Sequence, residues 1–145
     1  MQRLFIINQI FALNMLRILI ADDHEIVRRG LKQILVEGFQ LVHVDEACDT
    51  TTLIEKAMNE NWDLIITDIT MPGGSGLDAL GKIKIKKQLL PILVVSTYPE
   101  EQYSRHVIMA GANGYISKNA LADKLIEAIR QVLSGEKYFG YELAS

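Results

Sequence analysis

The chain has 145 residues, 49% apolar and 23% charged, which is enough to close one hydrophobic core and too hydrophobic to stay disordered. Fifteen Lys and Arg against eighteen Asp and Glu give a net charge of −3, which excludes a global basic footprint for nucleic acid. Cys48 is the single cysteine, so an intramolecular disulfide and a Cys-based zinc site are ruled out, and a reduced, cytoplasmic compartment is the expectation.

Residues 1–14 are apolar, but Asn8, Gln9 and Asn14 interrupt them. The run is too short and too polar to span a bilayer, and no small-x-small cleavage site follows. It reads as an N-terminal extension, with Met15 a second plausible start. Residues 16–21 form a continuously apolar run ending in two acids, the mark of a strand covered on both faces. Over 25–37, Ile26, Val27, Gly30, Leu31, Ile34 and Leu35 recur at helical spacing, with Arg28, Arg29, Lys32 and Gln33 on the other side and Gly38 as the stop. Alternation over 40–47 gives a second strand nearer an edge. Asp49 or Thr50 can cap a helix over 51–59.

Residues 63–68 repeat the apolar-run-then-acid pattern of the first strand. Residues 71–76, Met-Pro-Gly-Gly-Ser-Gly, read as a loop. A helix over 77–86 turns Leu77, Leu80 and Ile83 inward and Lys82, Lys84, Lys86 and Lys87 mostly outward. Pro91 suits the first position of a fourth strand over 91–96. A weaker helix spans 100–110, a short fifth strand 114–117, and a strongly amphipathic helix 120–133. The aromatic tail, with Tyr138, Phe139 and Tyr141, has no clear pattern.

Five strands alternating with five helices imply an α/β fold with a parallel sheet wrapped on both faces. Asp22, Asp23, Asp68, Ser96 and Lys118 all fall at, or one or two residues beyond, the carboxyl ends of the predicted strands. Ligands of open α/β sheets bind outside those ends. Residues far apart in sequence would therefore meet in one cleft. Three carboxylates there need a compensating cation, and hard oxygen donors favour Mg²⁺ over zinc. A hydroxyl and a lysine beside them make a site suited to phosphoryl transfer. The phosphate-binding motif G-x-x-x-x-G-K-[ST] is absent, so a P-loop nucleotide site is not expected.

Four blocks in this order carry a resemblance: Ala21-Asp-Asp-His-Glu, Thr67-Asp-Ile-Thr-Met-Pro-Gly-Gly-Ser-Gly-Leu, Val94-Val-Ser-Thr, and Gly111-Ala-Asn-Gly-Tyr-Ile-Ser-Lys. Over about residues 16–133 the chain resembles the receiver domain of two-component response regulators, most closely the NarL/FixJ (LuxR-type) branch. The resemblance implies a flavodoxin-like, doubly wound sheet of five parallel strands in the order 2-1-3-4-5 with five helices. It implies an extension over 1–14, a receiver over 15–134, and the start of an interdomain linker over 135–145. It makes Asp68 the phosphoacceptor, taking its phosphoryl group from a sensor histidine kinase. Asp23, Asp68 and the backbone carbonyl of Thr70 would ligate Mg²⁺, with Asp22 acting through a water. Lys118 would pair with one phosphoryl oxygen and Ser96 with another. Tyr115 would turn inward as Ser96 is drawn to the phosphate. Members of this branch often form homodimers and usually bind DNA through a C-terminal helix-turn-helix domain, which these 145 residues do not include, so the sequence reads as a fragment or a stand-alone receiver. The implied protein is a cytoplasmic signalling switch, not an enzyme acting on outside substrates, and has no membrane partner.

Simpler readings compete at each position. Asp22 and Asp23 can cap a helix, and a strand-end Asp68 can serve a turn. His24 could be a metal ligand, but a surface position at the helix start is the reading adopted. Cys48 reads as buried and inert. Two other functions remain open. A haloacid-dehalogenase-like phosphatase also uses a strand-end Asp with Mg²⁺, but its nucleophile lies in the first strand with a second Asp two residues on. A pseudo-receiver would never take phosphate, yet all five key positions here carry phosphoacceptor residue types.

Overall fold

The computed structural model describes residues 15–98 and 100–139, with the side chains of 100–103 excepted. The proposed extension over 1–14 lies outside the described residues.

The strands are β1 (Leu16–Ala21), β2 (Val42–Ala47), β3 (Leu64–Thr67), β4 (Thr70–Met71), β5 (Gly74–Ser75), β6 (Ile92–Ser96), β7 (Gly114–Ser117) and β8 (Tyr138–Phe139). The helices are α1 (Glu25–Gly38), α2 (Thr50–Asn59), α3 (Gly76–Lys86), α4 (Glu100–Met109) and α5 (Leu121–Leu133), the last preceded by a 3₁₀ turn over Lys118–Ala120. Six strands form one sheet in the order β2-β1-β3-β6-β7-β8, and every pairing in it is parallel.

The alternation of side chains along each strand sorts the core into two layers. In β1, Ile18 and Ile20 pack on one face with Leu31 and Leu35 of α1 and Leu125 and Ile129 of α5. Leu19 and Ala21 pack on the other with Leu53 of α2, Leu80 and Ile83 of α3 and Val107 of α4. Strands buried on both faces must be apolar throughout, which is why β1, β3 and β6 read as continuous runs. Each fully buried Leu or Ile contributes about 1.5–3 kcal/mol.

Four local expectations are corrected. Residues 71–76 are not all loop: β4 and β5 pair antiparallel there, and Gly76 already opens α3. The tail is not patternless, because β8 pairs with β7 and adds a sixth strand to the expected five. A side chain at position 114 would meet Leu93 Cδ1 and the Tyr138 carbonyl oxygen, each at 2.7 Å, so the glycine there lets β8 lie close. Ile26 is 81% exposed. It stands five residues before Leu31, about 140° round the helix, and so faces solvent. Cys48 is exposed rather than buried, because it lies in the turn between β2 and the α2 cap.

Lys84 also departs from an outward reading. Its ammonium donates to the Leu90 carbonyl and to Asn113 Oδ1, both at 2.6 Å. Burial, and then repulsion from Lys137, hold its pKa below the ordinary lysine value of 10.5. Asn113 Oδ1 also accepts from the Ile92 N–H, and its backbone bonds Ile92 and Tyr138. One residue thus ties α3 and β6 through its side chain and β6 and β8 through its backbone. Asn113→Ala is expected to lower stability by about 2 kcal/mol, since the Ile92 N–H loses its acceptor and the half-buried Lys84 ammonium loses one of two. Urea unfolding checks this; an unchanged midpoint would refute it.

Candidate functional site

Parallel pairing puts the carboxyl ends of the central strands at one edge. Ala21 is in register with Thr67, and Ser96 with Ser117. The residues just past those ends are Asp22 and Asp23 after β1, Asp68 after β3 and Lys118 after β7, while Ser96 ends β6. The Asp68 N–H donates to the Ala21 carbonyl at 2.9 Å, so the first two acidic turns are stitched together.

Lys118 is the centre of the cluster. Its ammonium lies 2.7 Å from Asp22 Oδ2 and 2.9 Å from Asp68 Oδ2. Both carboxylates are buried, Asp22 at 1% exposure and Asp68 at 6%. Burial alone would lower the lysine pKa, but hydrogen bonds to the two carboxylates and their charge outweigh it and raise it above 10.5. The lysine is therefore cationic at neutral pH. The second Asp68 oxygen, Oδ1, accepts from the Thr70 N–H at 3.1 Å. A nitrogen donor thus holds each oxygen of Asp68.

The acidic turn after β1 has its own supports. Asp22 Oδ1 accepts from the His24 N–H at 2.9 Å, and His24 Nδ1 lies 3.1 Å from both Asp22 Oδ1 and Asp23 Oδ1. The His24 side chain is 63% exposed, in keeping with the surface reading. Arg28 donates from Nη1 to the Asp22 carbonyl at 2.8 Å and from Nε to Glu46 at 3.1 Å. The sequence reading placed Arg28 on the outer face of α1, yet its guanidinium folds back over the turn.

Ser96 is buried, and its hydroxyl accepts from the Tyr98 N–H at 3.2 Å. Tyr115 is fully buried, and its hydroxyl donates to the Tyr98 carbonyl at 2.7 Å. These two residues therefore meet at the backbone of Tyr98 in the loop after β6, one at its N–H and the other at its carbonyl. Tyr115 is already inward, held by that bond and by packing with Val107 of α4, so no inward swing is needed to reach this position. Asp22, Asp68, Lys118 and Thr70 are thus in direct contact, Asp23 joins through His24, and Ser96 and Tyr115 form an adjacent pair. Sequence reasoning missed Arg28 as a support. The only signal for Arg28 is its place one helical turn past the acids.

The donor set suits a hard divalent cation. Asp22, Asp23 and Asp68 supply carboxylate oxygens, and the donor atoms of Asp22, Asp23 and His24 lie within 4.8 Å of one another. Two of these acids are already bonded to one ammonium, so the pocket carries a preference for positive charge.

Residues 18–130 match the family model of the response regulator receiver domain. The oxygen regulatory protein NreC of Staphylococcus carnosus (strain TM300) is 41% identical over 124 residues, covering 85% of this chain and 57% of that protein. NreC of Staphylococcus haemolyticus (strain JCSC1435) is 39% identical over 131 residues, covering 90% and 60%. The chain therefore spans less than two thirds of the length of these relatives. Among solved structures, a LuxR-family two-component response regulator from Aurantimonas sp. SI85-9A1 aligns with TM-score 0.79 at 27% identity, covering 86% of this chain and 89% of that one. The non-phosphorylated receiver domain of the stress response regulator RcsB from Escherichia coli aligns with TM-score 0.79 at 29% identity, covering 88% and 100%.

Proposed function

Because this chain belongs to the response regulator receiver domain family, we propose that it is a phosphoacceptor switch in which Asp68 takes a phosphoryl group from the phosphohistidine of a sensor kinase. The observation that carries the reading is the buried Asp68 carboxylate, held between the Lys118 ammonium and the Thr70 N–H beside two further acids. An oxygen of Asp68 forms the new bond to phosphorus as the bond to the donor imidazole nitrogen breaks. The electron pair stays on that nitrogen, which then takes a proton from solvent. Lys118 exchanges its carboxylate contact for a phosphoryl oxygen, and the Ser96 hydroxyl leaves Tyr98 to donate to another. Asp23, Asp68 and the Thr70 carbonyl would hold Mg²⁺, with Asp22 through a water, and the ion when bound neutralises charge as the phosphoryl group arrives. Since Ser96 and Tyr115 bond the two sides of the Tyr98 backbone, its N–H and its carbonyl, a movement of Ser96 is felt by Tyr115 and by the loop before α4.

On this reading the chain is a signalling switch, promoting only its own phosphorylation and dephosphorylation in the cytoplasm. No helix among the described residues is long and apolar enough to cross a membrane. Residues 15–134 form the switch, β8 adds the outer strand of its sheet, and the segment over 135–145 begins the connection to a DNA-binding output domain in a protein able to form a homodimer. Incubation with acetyl phosphate and Mg²⁺ tests the reading by intact mass. The expected result is a gain of one phosphoryl group, mapped to Asp68. No gain would overturn it, and so would multiple turnover of added phosphate esters.

A further inference from the structure

Resting on the reading of Asp68 above, we propose that Thr50, the first residue of α2, is a positioning residue that fixes the phosphoacceptor carboxylate through the hairpin after β3. Thr50 is 3% exposed, although it is polar and stands at a helix start. The usual task of a hydroxyl there is capping, but Asp49 already performs it, accepting from the Thr52 N–H at 2.7 Å. The Thr50 hydroxyl instead donates to the Gly74 carbonyl at 3.3 Å, and its N–H donates to the Pro72 carbonyl at 2.9 Å. That N–H is among the helix-start donors with no partner inside the helix, so it is available to bond outward.

Pro72 and Gly74 belong to the β4–β5 hairpin. Its strands are two residues each, pairing Thr70 with Ser75 and Met71 with Gly74. Most of it is exposed, with only Met71 buried. An isolated pair of this size has little stability of its own, so its position must come from elsewhere. The turn is closely fitted to α2: at Gly73, whose φ is +96°, an added Cβ would stand 3.2 Å from Thr51 Oγ1. α2 is itself fixed by Leu53 and Ala57 in the core. The hairpin in turn presents the Thr70 N–H to Asp68 Oδ1 at 3.1 Å. The chain of contacts is therefore core, α2, Thr50, hairpin, Thr70, nucleophile.

Thr50→Val keeps the branched shape and removes only the donor, while Thr50→Ser keeps the donor. Three quantities are read: the amide chemical shift of Thr70, the rate of labelling by acetyl phosphate with Mg²⁺, and the melting temperature. The valine variant is expected to move the Thr70 amide upfield and to slow labelling about fivefold, with the serine variant within about twofold of the parent. If the valine variant melts lower while the Thr70 amide and the labelling rate stay at parental values, Thr50 is only structural and the proposal is overturned. Should the valine variant not fold, Thr50→Ala carries the same expectation and the same refutation. Failure of the parent chain to label would sink the phosphoacceptor reading instead. In that case an unmoved Thr70 amide in the variants still overturns the positioning role, and a moved one still supports it.

Discussion

Asp68→Asn is expected to abolish phosphoryl incorporation from acetyl phosphate and Mg²⁺ while the domain keeps its fold. The substitution preserves shape and removes the charge. An amide oxygen is a far weaker nucleophile than a carboxylate oxygen, so a loss of at least about a thousandfold in labelling is expected. Folding should change little, because two effects oppose each other. The variant amide can still accept from the Thr70 N–H, and one member of a crowded acid group loses its charge. Against this, Lys118 keeps only Asp22 as a close carboxylate. The balance should lie within about 1 kcal/mol. Intact mass and a thermal melt, taken on the same sample, check both halves. Labelling that persists on the variant would remove Asp68 from the phosphoacceptor role.

The strands of the fold were the part most open to sequence reading, because burial on both faces forces unbroken apolar runs at β1, β3 and β6. The acids behind β1 and β3 were legible for the same reason: a charge that ends a continuous apolar run has to sit at the sheet's edge. What was hidden depends on contacts that no local pattern encodes. β8 is two residues long and has no period to detect, so its pairing with Gly114 and Tyr115 rests on the space left by a missing side chain. Periodicity assigned Ile26 to the core, although its angular distance from Leu31 and Leu35 places it in solvent. Lysines and arginines defeat an inside-or-outside reading for a different reason. Their long apolar stems let the charge reach a distant acceptor, as Lys84 does at Asn113 and Arg28 at the Asp22 carbonyl. That Asp22, Asp68 and Lys118 lie at one edge of the sheet followed from strand-end placement. That Lys118 bonds the two acids together did not, since a lysine after a strand is equally consistent with a solvated surface position.

Lys118→Met should have the largest effect on stability, and the effect should depend on divalent cation. The Lys118 side chain is 12% exposed, and its ammonium touches two carboxylates that are almost wholly buried. Removing the cation leaves Asp22 and Asp68 facing each other with no shared counter-charge. Breaking one partner out of a buried ion pair costs about 3–5 kcal/mol. The parent chain should show no such loss across neutral pH. The folded-state pKa of Lys118 is raised above 10.5, so its contribution is complete below that value and disappears only as pH climbs through the raised one. In the variant, Mg²⁺ faces no competing ammonium for these carboxylates. Its affinity should rise about tenfold, and saturating Mg²⁺ should restore more stability to the variant than it adds to the parent, following the linkage of binding to folding. Urea unfolding with and without Mg²⁺ measures both quantities. Equal stability of the two chains without the ion would show that Lys118 is not the counter-charge of this pocket, and equal Mg²⁺ affinity would show that it does not compete for the same oxygens.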